Sequence, residues 1–518
     1  MLNKLKDSTI YPARRWKIID ISNLRRVGLW VCYAVLSAFS LGVYVLASGL
    51  LFHPGFPLDD AWIHQTFARN LALHGEWSFI PGNISAGSTS PGWTVILALG
   101  YLLSIKPLGW VYLTGWLLLT ALAIIGALSF LHLSFADSHW WILAGGFLIF
   151  EWHLVWAAVS GMETILAALF PLLVLLVAFL IERTIITNEF KWYFWFITGL
   201  LVGLSIWIRP DGISLVVIPG FLLVTRKISF GSLKAGFFAL IGFSLPVTVY
   251  IAMNFFLGNG IWPNTFYAKQ AEYQILRENP FVIRYLMQAQ LPLIGPGAIL
   301  LPGFLWFVYE SVRRRTWVRI AGVIWLLGFL GLYAWRLPVT YQHGRYIMPI
   351  MPMYFLMGMA GYEQIIHTKR AYAGKLLSLA IRFSLIGVSV GFWLLGAQTY
   401  ATDVAIIESE MVASSLWIRT NTKPGSVIAA HDIGALGYFS ERRIVDLAGL
   451  ISPEVLPFVN NEEKLVSFLQ KHHADYLMTF PGWYPELIKN GRLVYSTLGR
   501  FSPISGGENM AVFRLMIP

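Results

Sequence analysis

Long apolar runs are the feature of this sequence that most constrains its fold. The first extends from about Val27 to Phe52. Eight more runs of spanning length follow, at about 163–182, 193–208, 212–225, 235–257, 291–309, 318–335, 345–365 and 376–398. A helix of about 20 apolar residues crosses a bilayer. Only 13% of the residues are charged, against about 25% in soluble domains. These runs predict a polytopic α-helical membrane protein.

The loops between the apolar runs alternate in charge, and this alternation predicts their sidedness. Loops such as ERTIITNEFKW and SVRRRTWVR are rich in Lys and Arg, as cytoplasmic loops are. With the basic N-terminal tail also inside, the outer loop at 53–91 is predicted to be extracytoplasmic, in an inner (plasma) membrane. The net charge of +11 then reflects cytoplasmic loops and no nucleic-acid partner. The single cysteine excludes an intrachain disulfide.

Three shorter apolar blocks lie near 92–105, 109–131 and 140–158. The sidedness of the flanking loops requires an even number of crossings here, so one block is expected to be a short or re-entrant helix. The pattern does not say which one. The total is then about 11 transmembrane helices within residues 1–399.

Residues 400–518 have a different composition and form a predicted second domain. Short β-branched runs such as SVIAA and RRIVD indicate strands. The segment NEEKLVSFLQKHHA has a helical period. Strands that alternate with helices predict a small extracytoplasmic α/β domain.

An adjacent pair of carboxylates, Asp59 and Asp60, follows the first apolar run in the stretch FPLDDAWIHQTFARNLALHGEWSFIPGNISAGSTSPGW. A charge at the membrane edge costs little compared with one at the bilayer centre, so a solvated helix end explains the pair as well as a catalytic role does. Two carboxylates in low-dielectric surroundings repel each other, which raises the pKa of one of them. Such a carboxylate suits general-base chemistry.

The pair and the loop after it resemble the first outer loop of GT-C membrane glycosyltransferases, which use sugars carried on a polyprenyl phosphate. Further stretches agree in order and in predicted sidedness: SGMET at 160–164, RPDG at 209–212, PNTFYAK at 263–269 and HGRY at 343–346. The chain is most similar to the bacterial terminal arabinofuranosyltransferase family. Protein O-mannosyltransferases and lipid A aminoarabinose transferases resemble it more distantly.

The resemblance implies an inverting transfer from a polyprenyl-phosphate sugar donor to a glycan, lipid or protein acceptor at the bilayer surface. An outer-loop Asp would deprotonate the acceptor hydroxyl, which attacks the anomeric carbon and displaces the lipid phosphate. Position within the motif favours Asp59 as the base and Asp60 as its helper, and the reverse order stays open.

The departing phosphate needs cations, because its negative charge grows as the bond breaks. Arg345, Lys269 and Arg209 lie at predicted outer membrane edges and are the candidates. Snorkelling to the interface is the alternative for each of them. Arg209 has a further alternative, a structural pair with Asp211.

The remaining candidates lie within the same motifs and are assigned to substrate binding: Glu163, His343, Asp211 and Tyr267. Oligosaccharyltransferases place a metal-ligating acidic motif near the position of Glu163, which leaves a divalent cation open. A hard cation prefers several oxygen ligands, and Glu163 is a single acid. No metal ligand or certain cofactor is therefore assigned.

Two other classes of protein compete with the enzyme reading. A lipid-linked sugar transporter or flippase is expected to carry charges or helix breaks near the membrane midplane, whereas the charged candidates here cluster at outer edges. An O-antigen ligase-like protein is the second alternative. Release of polyprenyl phosphate on addition of an acceptor distinguishes a glycosyltransferase from a transporter.

Overall fold

The computed structural model describes residues 24–135, 139–187, 189–226, 229–258, 260–368 and 371–516. Residues 1–23, which make up most of the basic N-terminal tail, lie outside these ranges. The α-helices are, in chain order, α1 (Leu24–Leu51), α2 (Asp59–His74), α3 (Pro91–Leu102), α4 (Pro107–Leu133), α5 (Trp140–Phe150), α6 (Trp152–Val159), α7 (Thr164–Ile186), α8 (Trp192–Ile208), α9 (Val217–Val224), α10 (Phe230–Gly258), α11 (Asn264–Glu272), α12 (Phe281–Ala289), α13 (Pro296–Arg313), α14 (Trp317–Arg336), α15 (Met351–Thr368), α16 (Ala371–Ile407), α17 (Ala413–Asn421), α18 (Gly434–Phe439), α19 (Glu462–Lys471) and α20 (Phe501–Ile504).

Six helical segments of the described chain are long and apolar enough to cross a membrane: 27–51, 107–133, 164–186, 230–258, 317–336 and 373–421. Two further segments are bent pairs, α5 with α6 at 52° and the α12 region with α13 at 108°. Three shorter apolar helical segments, 91–102, 192–208 and 210–224, complete the set. The chain is thus a multi-pass helical membrane protein, and the predicted number of crossings stays a prediction.

Helix α3 explains why the apolar blocks near the N-terminus resisted a topological assignment. It has 12 residues, which at about 1.5 Å per residue gives a length of about 18 Å. The hydrocarbon core of a bilayer is about 30 Å thick. Of the three ambiguous blocks, the one at 92–105 is therefore too short to cross alone.

Glycines allow the closest helix contacts in the bundle. A Cβ added at Gly199 of α8 would lie 1.9 Å from the backbone oxygen of Ala239 in α10. One added at Gly242 of α10 would lie 2.1 Å from the backbone oxygen of Phe196 in α8. Small residues at such crossings let two backbones approach directly, which drives helix association in lipid.

The outer loop at 53–91 is folded. It contains α2 and a small antiparallel hairpin of β1 (Ser78–Ile80) and β2 (Asn83–Ile84). Helix α2 begins at the carboxylate pair, with both acids in its first turn, where negative charge favours a helix N-terminus. Gly75 ends the helix in the left-handed conformation, at a φ of 68°.

The C-terminal domain is built on a five-stranded sheet in the order β4-β3-β5-β7-β6. Its strands are β3 (Val427–Ala430), β4 (Arg443–Asp446), β5 (Tyr476–Thr479), β6 (Gly491–Ser496) and β7 (Ala511–Leu515). The neighbours β3, β4 and β5 are parallel, and β7 pairs antiparallel with both β5 and β6. The α/β character that was predicted for this region is confirmed, although edge strand β6 was missed.

The membrane and C-terminal parts are continuous through α16. The predicted boundary at residue 400 lies inside this helix, which passes into a single turn of π-helix at 408–412 and then into α17. Within that turn, Glu410 accepts hydrogen bonds from the backbone N–H of Met510 at 2.8 Å and from Thr497 Oγ1. The π-helical turn therefore connects the C-terminal end of α16 to the end of β6 and the start of β7 through these hydrogen bonds.

Candidate functional site

Asp60 carries the contacts that join three separate parts of the chain. Lys269 of α11 donates to its Oδ2 at 3.1 Å, and Arg345, which precedes α15, donates to the same oxygen. The Asp60 side chain is 28% exposed, whereas that of Arg345 is 3% exposed. Asp60 Oδ1 has no hydrogen-bond partner among the described residues. One oxygen of this carboxylate therefore carries two cations and the other stays available.

Tyr346 lies between the two cations. Its hydroxyl oxygen accepts hydrogen bonds from Lys269 Nζ at 2.9 Å and from Arg345 Nη2 at 3.1 Å. Burial acts to raise the pKa of Tyr346, but the charges of Arg345 and Lys269 outweigh burial and lower it. The same two charges act on Asp60, where burial again opposes them and the pKa falls well below its usual range. Asp60 is thus ionised at neutral pH.

The guanidinium of Arg345 retains unused donors. In the part of the chain that the structure describes, its Nε and Nη1 are buried and have no hydrogen-bond partner. A buried N–H group without a partner is costly, and a planar guanidinium matches the oxygens of a phosphate. Arg345 therefore has the capacity to bind an anion without giving up Asp60.

Asp59 has a different environment from that of its neighbour. Its Oδ2 accepts from the backbone N–H of Gly434 at 2.6 Å and its Oδ1 from that of Ala435 at 2.7 Å. These N–H groups begin α18, so Asp59 holds the C-terminal domain onto α2. Burial, followed by the nearby carboxylate of Asp432, raises the pKa of Asp59, although the two N–H donors act against this rise.

Arg209 is held within a buried network. Its Nε and Nη2 donate to Asp211 at 3.1 and 3.0 Å, and its Nη1 donates to Glu163 at 3.2 Å. Tyr333 takes part as well, because it accepts from Arg209 Nη2 at 2.7 Å and donates to Asp211. The pairing with Asp211 that the sequence offered as an alternative is therefore present.

The surroundings of Glu163 do not fit a divalent cation. Its Oε1 accepts from Arg209, and its Oε2 lies 3.4 Å from His64 Nε2. The place that a cation would occupy is thus taken by a guanidinium and an imidazole. Within the described ranges, no group of three or more His, Cys, Asp or Glu side chains is arranged to hold a metal ion.

Two cavities meet at the Asp60 cluster. The first, here called the apolar cavity, has a volume of about 180 Å³, and its walls include Ile213, Trp262, Phe266, Leu332 and Leu337. The second, here called the polar cleft, has a volume of about 700 Å³, and its walls include Glu272, Tyr341, His431, Asp432, Trp483 and Tyr484. Asp60, Lys269 and Arg345 line both cavities. A molecule in either cavity can therefore reach the same ionised carboxylate and the same two cations.

Two of the predicted residues, His343 and Tyr267, line neither cavity. His343 Nε2 is 2.7 Å from Asp403 Oδ2, which also accepts from Trp156 Nε1 at 2.9 Å. His343 has a φ of 56°, in the left-handed region that favours glycine, and Arg345 follows it by two residues. Tyr267 is 41% exposed and lines neither cavity. His343 thus lies behind Arg345, and Tyr267 lies away from the cluster.

Sequence reasoning missed several residues that the fold brings to the site. His64 is one helical turn after Asp60 in α2, and the i, i+4 spacing was a signal for it. Tyr346 directly follows Arg345 in the HGRY stretch. Glu272 and Asp432 carried no usable signal, since the sequence says nothing of how the C-terminal domain docks on α11.

Comparison with family models and curated proteins gives one match. A domain of unknown function, DUF8728, matches residues 397–513. No curated protein matches the sequence.

Solved structures match over most of the chain. ArnT from Cupriavidus metallidurans, solved bound to undecaprenyl phosphate, has a TM-score of 0.55 at 13% identity, with 95% of this chain and 98% of that chain covered. The Archaeoglobus fulgidus oligosaccharyltransferase has a TM-score of 0.58 at 12% identity, with 89% and 70% covered. The arabinofuranosyltransferase AftD from Mycobacteria has a TM-score of 0.51 at 13% identity, with 92% and 40% covered.

These neighbours are GT-C membrane glycosyltransferases, so the chain has the GT-C fold with an additional C-terminal domain. The predicted fold class and the predicted resemblance are thereby confirmed.

The contact between Asp59 and Gly434 leads to a prediction about domain docking. A Cβ at Gly434 would lie 2.0 Å from the backbone oxygen of Asp59, whereas one at Gly425 meets nothing within 4 Å. Gly434→Ala is expected to destabilise the protein by about 1–3 kcal/mol, as overpacking does, and to expose the C-terminal domain to limited proteolysis. The matched control Gly425→Ala should leave thermal unfolding and cleavage unchanged. Equal behaviour of the two variants would show that this contact does not hold the domain in place.

Proposed function

We propose that this protein is an inverting glycosyltransferase that moves a sugar from a polyprenyl-phosphate carrier to an acceptor hydroxyl. The observation that carries the proposal is the meeting of the apolar cavity and the polar cleft at Asp60, Lys269 and Arg345. A lipid-linked sugar has an apolar tail, a phosphate and a polar sugar in that order. The apolar cavity, the cation pair and the polar cleft follow the same order.

The donor phosphate is assigned to Arg345 and Lys269. Arg345 has two buried N–H groups without a partner in the described structure, and Lys269 adds a point charge beside them. The ArnT structure similar to this chain was solved with undecaprenyl phosphate bound, which supports a lipid phosphate as the ligand. Arg209 is left out of this assignment, because Asp211, Glu163 and Tyr333 engage its donors.

Asp60 is assigned as the general base and Asp59 as a positioning residue. Asp60 is ionised, is partly exposed and has a free Oδ1, whereas both oxygens of Asp59 accept backbone N–H groups. In the reaction, Asp60 accepts the proton of the acceptor hydroxyl while that oxygen bonds to the anomeric carbon. The bond from this carbon to the phosphate oxygen breaks, and its electron pair remains on the phosphate. Lys269 and Arg345 stabilise the negative charge that develops there.

The transporter alternative has one observation in its favour, a buried carboxylate at a bent helix pair. Glu151 lies between α5 and α6 and His153 lies in the first turn of α6; both are buried, with His153 Nδ1 2.8 Å from Glu151 Oε1. Glu151 also accepts from the backbone N–H of Leu154 at 3.1 Å and so caps α6. Because the Glu151 carboxylate stabilises the N-terminus of α6, its burial does not require a role in transport. The enzyme proposal is therefore preferred.

The first prediction separates the two carboxylates. Asp60→Asn is expected to lower turnover by about 10²–10⁴-fold, since an amide cannot take the proton, while binding of polyprenyl phosphate is retained. Asp59→Asn should keep most of the turnover, because an amide still accepts one N–H, although the loss of the other hydrogen bond lowers the unfolding temperature. Turnover is measured as the release of polyprenyl phosphate when purified protein is mixed with lipid-linked sugar and acceptor. The base is Asp59 if the two variants behave in the opposite way.

The second prediction concerns the phosphate. Arg345→Ala is expected to weaken binding of polyprenyl phosphate about 10- to 150-fold, the loss that corresponds to a hydrogen bond to a charged group. Arg345→Lys should restore only part of the affinity, because the planar fork is lost. Titration in nanodiscs measures this, with Arg419→Ala on the exposed surface of α17 as the control. If folded Arg345→Ala binds polyprenyl phosphate with unchanged affinity, the phosphate site lies elsewhere.

The third prediction concerns sidedness. The outer loop and the C-terminal domain touch, so they lie on the same side, and the proposal places that side outside the cytoplasm. In a Cys32→Ser background, Asn83→Cys and Lys489→Cys should react with an impermeant thiol reagent added to intact cells. Glu189→Cys, in a loop that is predicted to be cytoplasmic, should react only after lysis. The reverse pattern would invert the orientation.

A further inference from the structure

We propose that the polar cleft, beyond the donor sugar next to Lys269 and Arg345, binds the acceptor as a neutral, polyhydroxylated sugar, and that the C-terminal domain supplies the main acceptor contacts through Asp432 and Trp483. This inference rests on the proposed function, since it assumes that the acceptor hydroxyl meets Asp60 at the inner end of the cleft. It gives the domain at 397–513 a direct part in substrate binding.

The topology of the C-terminal sheet places one of its edges at the cleft. His431 and Asp432 directly follow β3, Ala448 comes two residues after the end of β4, and Trp483 follows β5. Because β3, β4 and β5 are parallel, their carboxyl ends share one edge of the sheet. Ligands of open α/β sheets bind at this edge. All three strand ends contribute to the wall of the polar cleft, so the domain presents its ligand-binding edge to Asp60.

Asp432 and Trp483 have the free groups that a sugar needs. The Asp432 carboxylate lines the cleft and makes no hydrogen bond to any described residue. The Trp483 side chain is 50% exposed, and its ring lies 5.2 Å from the His431 ring, at 79°. A carboxylate accepts hydrogen bonds from sugar hydroxyls, and an indole ring offers an apolar face with a polar N–H at its edge.

The neighbours of Asp432 are fixed and give the cleft a rigid wall. His431 Nδ1 is 2.8 Å from the Tyr484 hydroxyl, and its Nε2 is 3.5 Å from Glu272 Oε1. Although burial opposes it, contact with His431 holds the pKa of Glu272 below its usual range. Glu272 is therefore ionised and pairs with His431, which leaves Asp432 as the carboxylate free for a ligand.

The distribution of charge along the cleft selects an uncharged acceptor. The wall of the cleft carries the carboxylates of Glu272, Asp432 and Glu462 beside His431, so an acceptor with phosphate or uronic acid groups would meet like charge there. The inner end carries Lys269 and Arg345, which would repel an ammonium group that approaches Asp60. Like-charge contacts weaken recognition strongly. A neutral sugar avoids both penalties.

The test measures acceptor binding and donor binding separately on the full chain in nanodiscs. The probes are neutral pentose and hexose oligosaccharides, the same oligosaccharides bearing a phosphate or a uronic acid, a basic peptide, and polyprenyl phosphate. Saturation-transfer NMR titrations follow the soluble probes, and native mass spectrometry follows the lipid. The wild type is expected to bind a neutral oligosaccharide. Asp432→Asn and Trp483→Ala should each weaken this binding at least about tenfold and leave lipid binding within about twofold.

Glu486→Gln is the matched control, because Glu486 is an exposed carboxylate of the same domain that pairs with Lys489 at 2.6 Å and does not line the cleft. It should leave binding of every probe unchanged. The inference is overturned if the wild type binds no neutral oligosaccharide, if it prefers the anionic probes or the peptide, or if neither substitution in the cleft weakens binding. Failure of the wild type to bind polyprenyl phosphate would instead overturn the proposed function, and the soluble probes would still report on the cleft.

Discussion

Two cations on one carboxylate oxygen are the interaction on which the rest of this site depends. Lys269 and Arg345 come from segments that lie far from α2 in sequence, and both donate to Oδ2 of Asp60. A buried cation without a partner is expensive, so removing Asp60 would leave two charges uncompensated. The carboxylate therefore fixes α2, α11 and the segment before α15 relative to one another. It does so at the point where the apolar cavity and the polar cleft join.

The adjacent carboxylates at 59 and 60 differ in role because they begin a helix. Successive residues of a helix point in different directions, and here one carboxylate faces the cations and the other faces the C-terminal domain. Asp59 accepts the first N–H groups of α18 and is nearly buried, whereas Asp60 remains partly exposed. The same burial raises the pKa of Asp59, while the cations lower that of Asp60. One turn of α2 thus links domain docking to the chemistry that we assign to Asp60.

The sequence predicted the fold better than it predicted the contacts of each residue. Apolar run length and loop charge depend on local composition, which is why the helical membrane fold and the α/β domain were both predictable. Edge strand β6 was missed because its exposed, mixed side chains lack the alternation of a half-buried strand. The motif stretches identified Asp60, Lys269 and Arg345 as candidate site residues, and the fold places these residues in contact. Asp432 was missed because its proximity to Asp59 depends on how two domains dock, which no local pattern encodes.

The arrangement around Asp60 also suggests how donor binding and proton transfer are coupled. A phosphate that enters the apolar cavity has to share Lys269 and Arg345 with Asp60. The negative charge of the phosphate offsets part of the charge of these cations, so they lower the pKa of Asp60 less and this carboxylate becomes a stronger base. Under the proposed assignment, Asp60 thus becomes a stronger base only when the donor phosphate is in place. Asp59 does not have this coupling, because its partners are backbone N–H groups that a ligand in the apolar cavity does not reach. The difference between fixed and shared partners is the physical reason for assigning the chemistry to the second carboxylate of the pair.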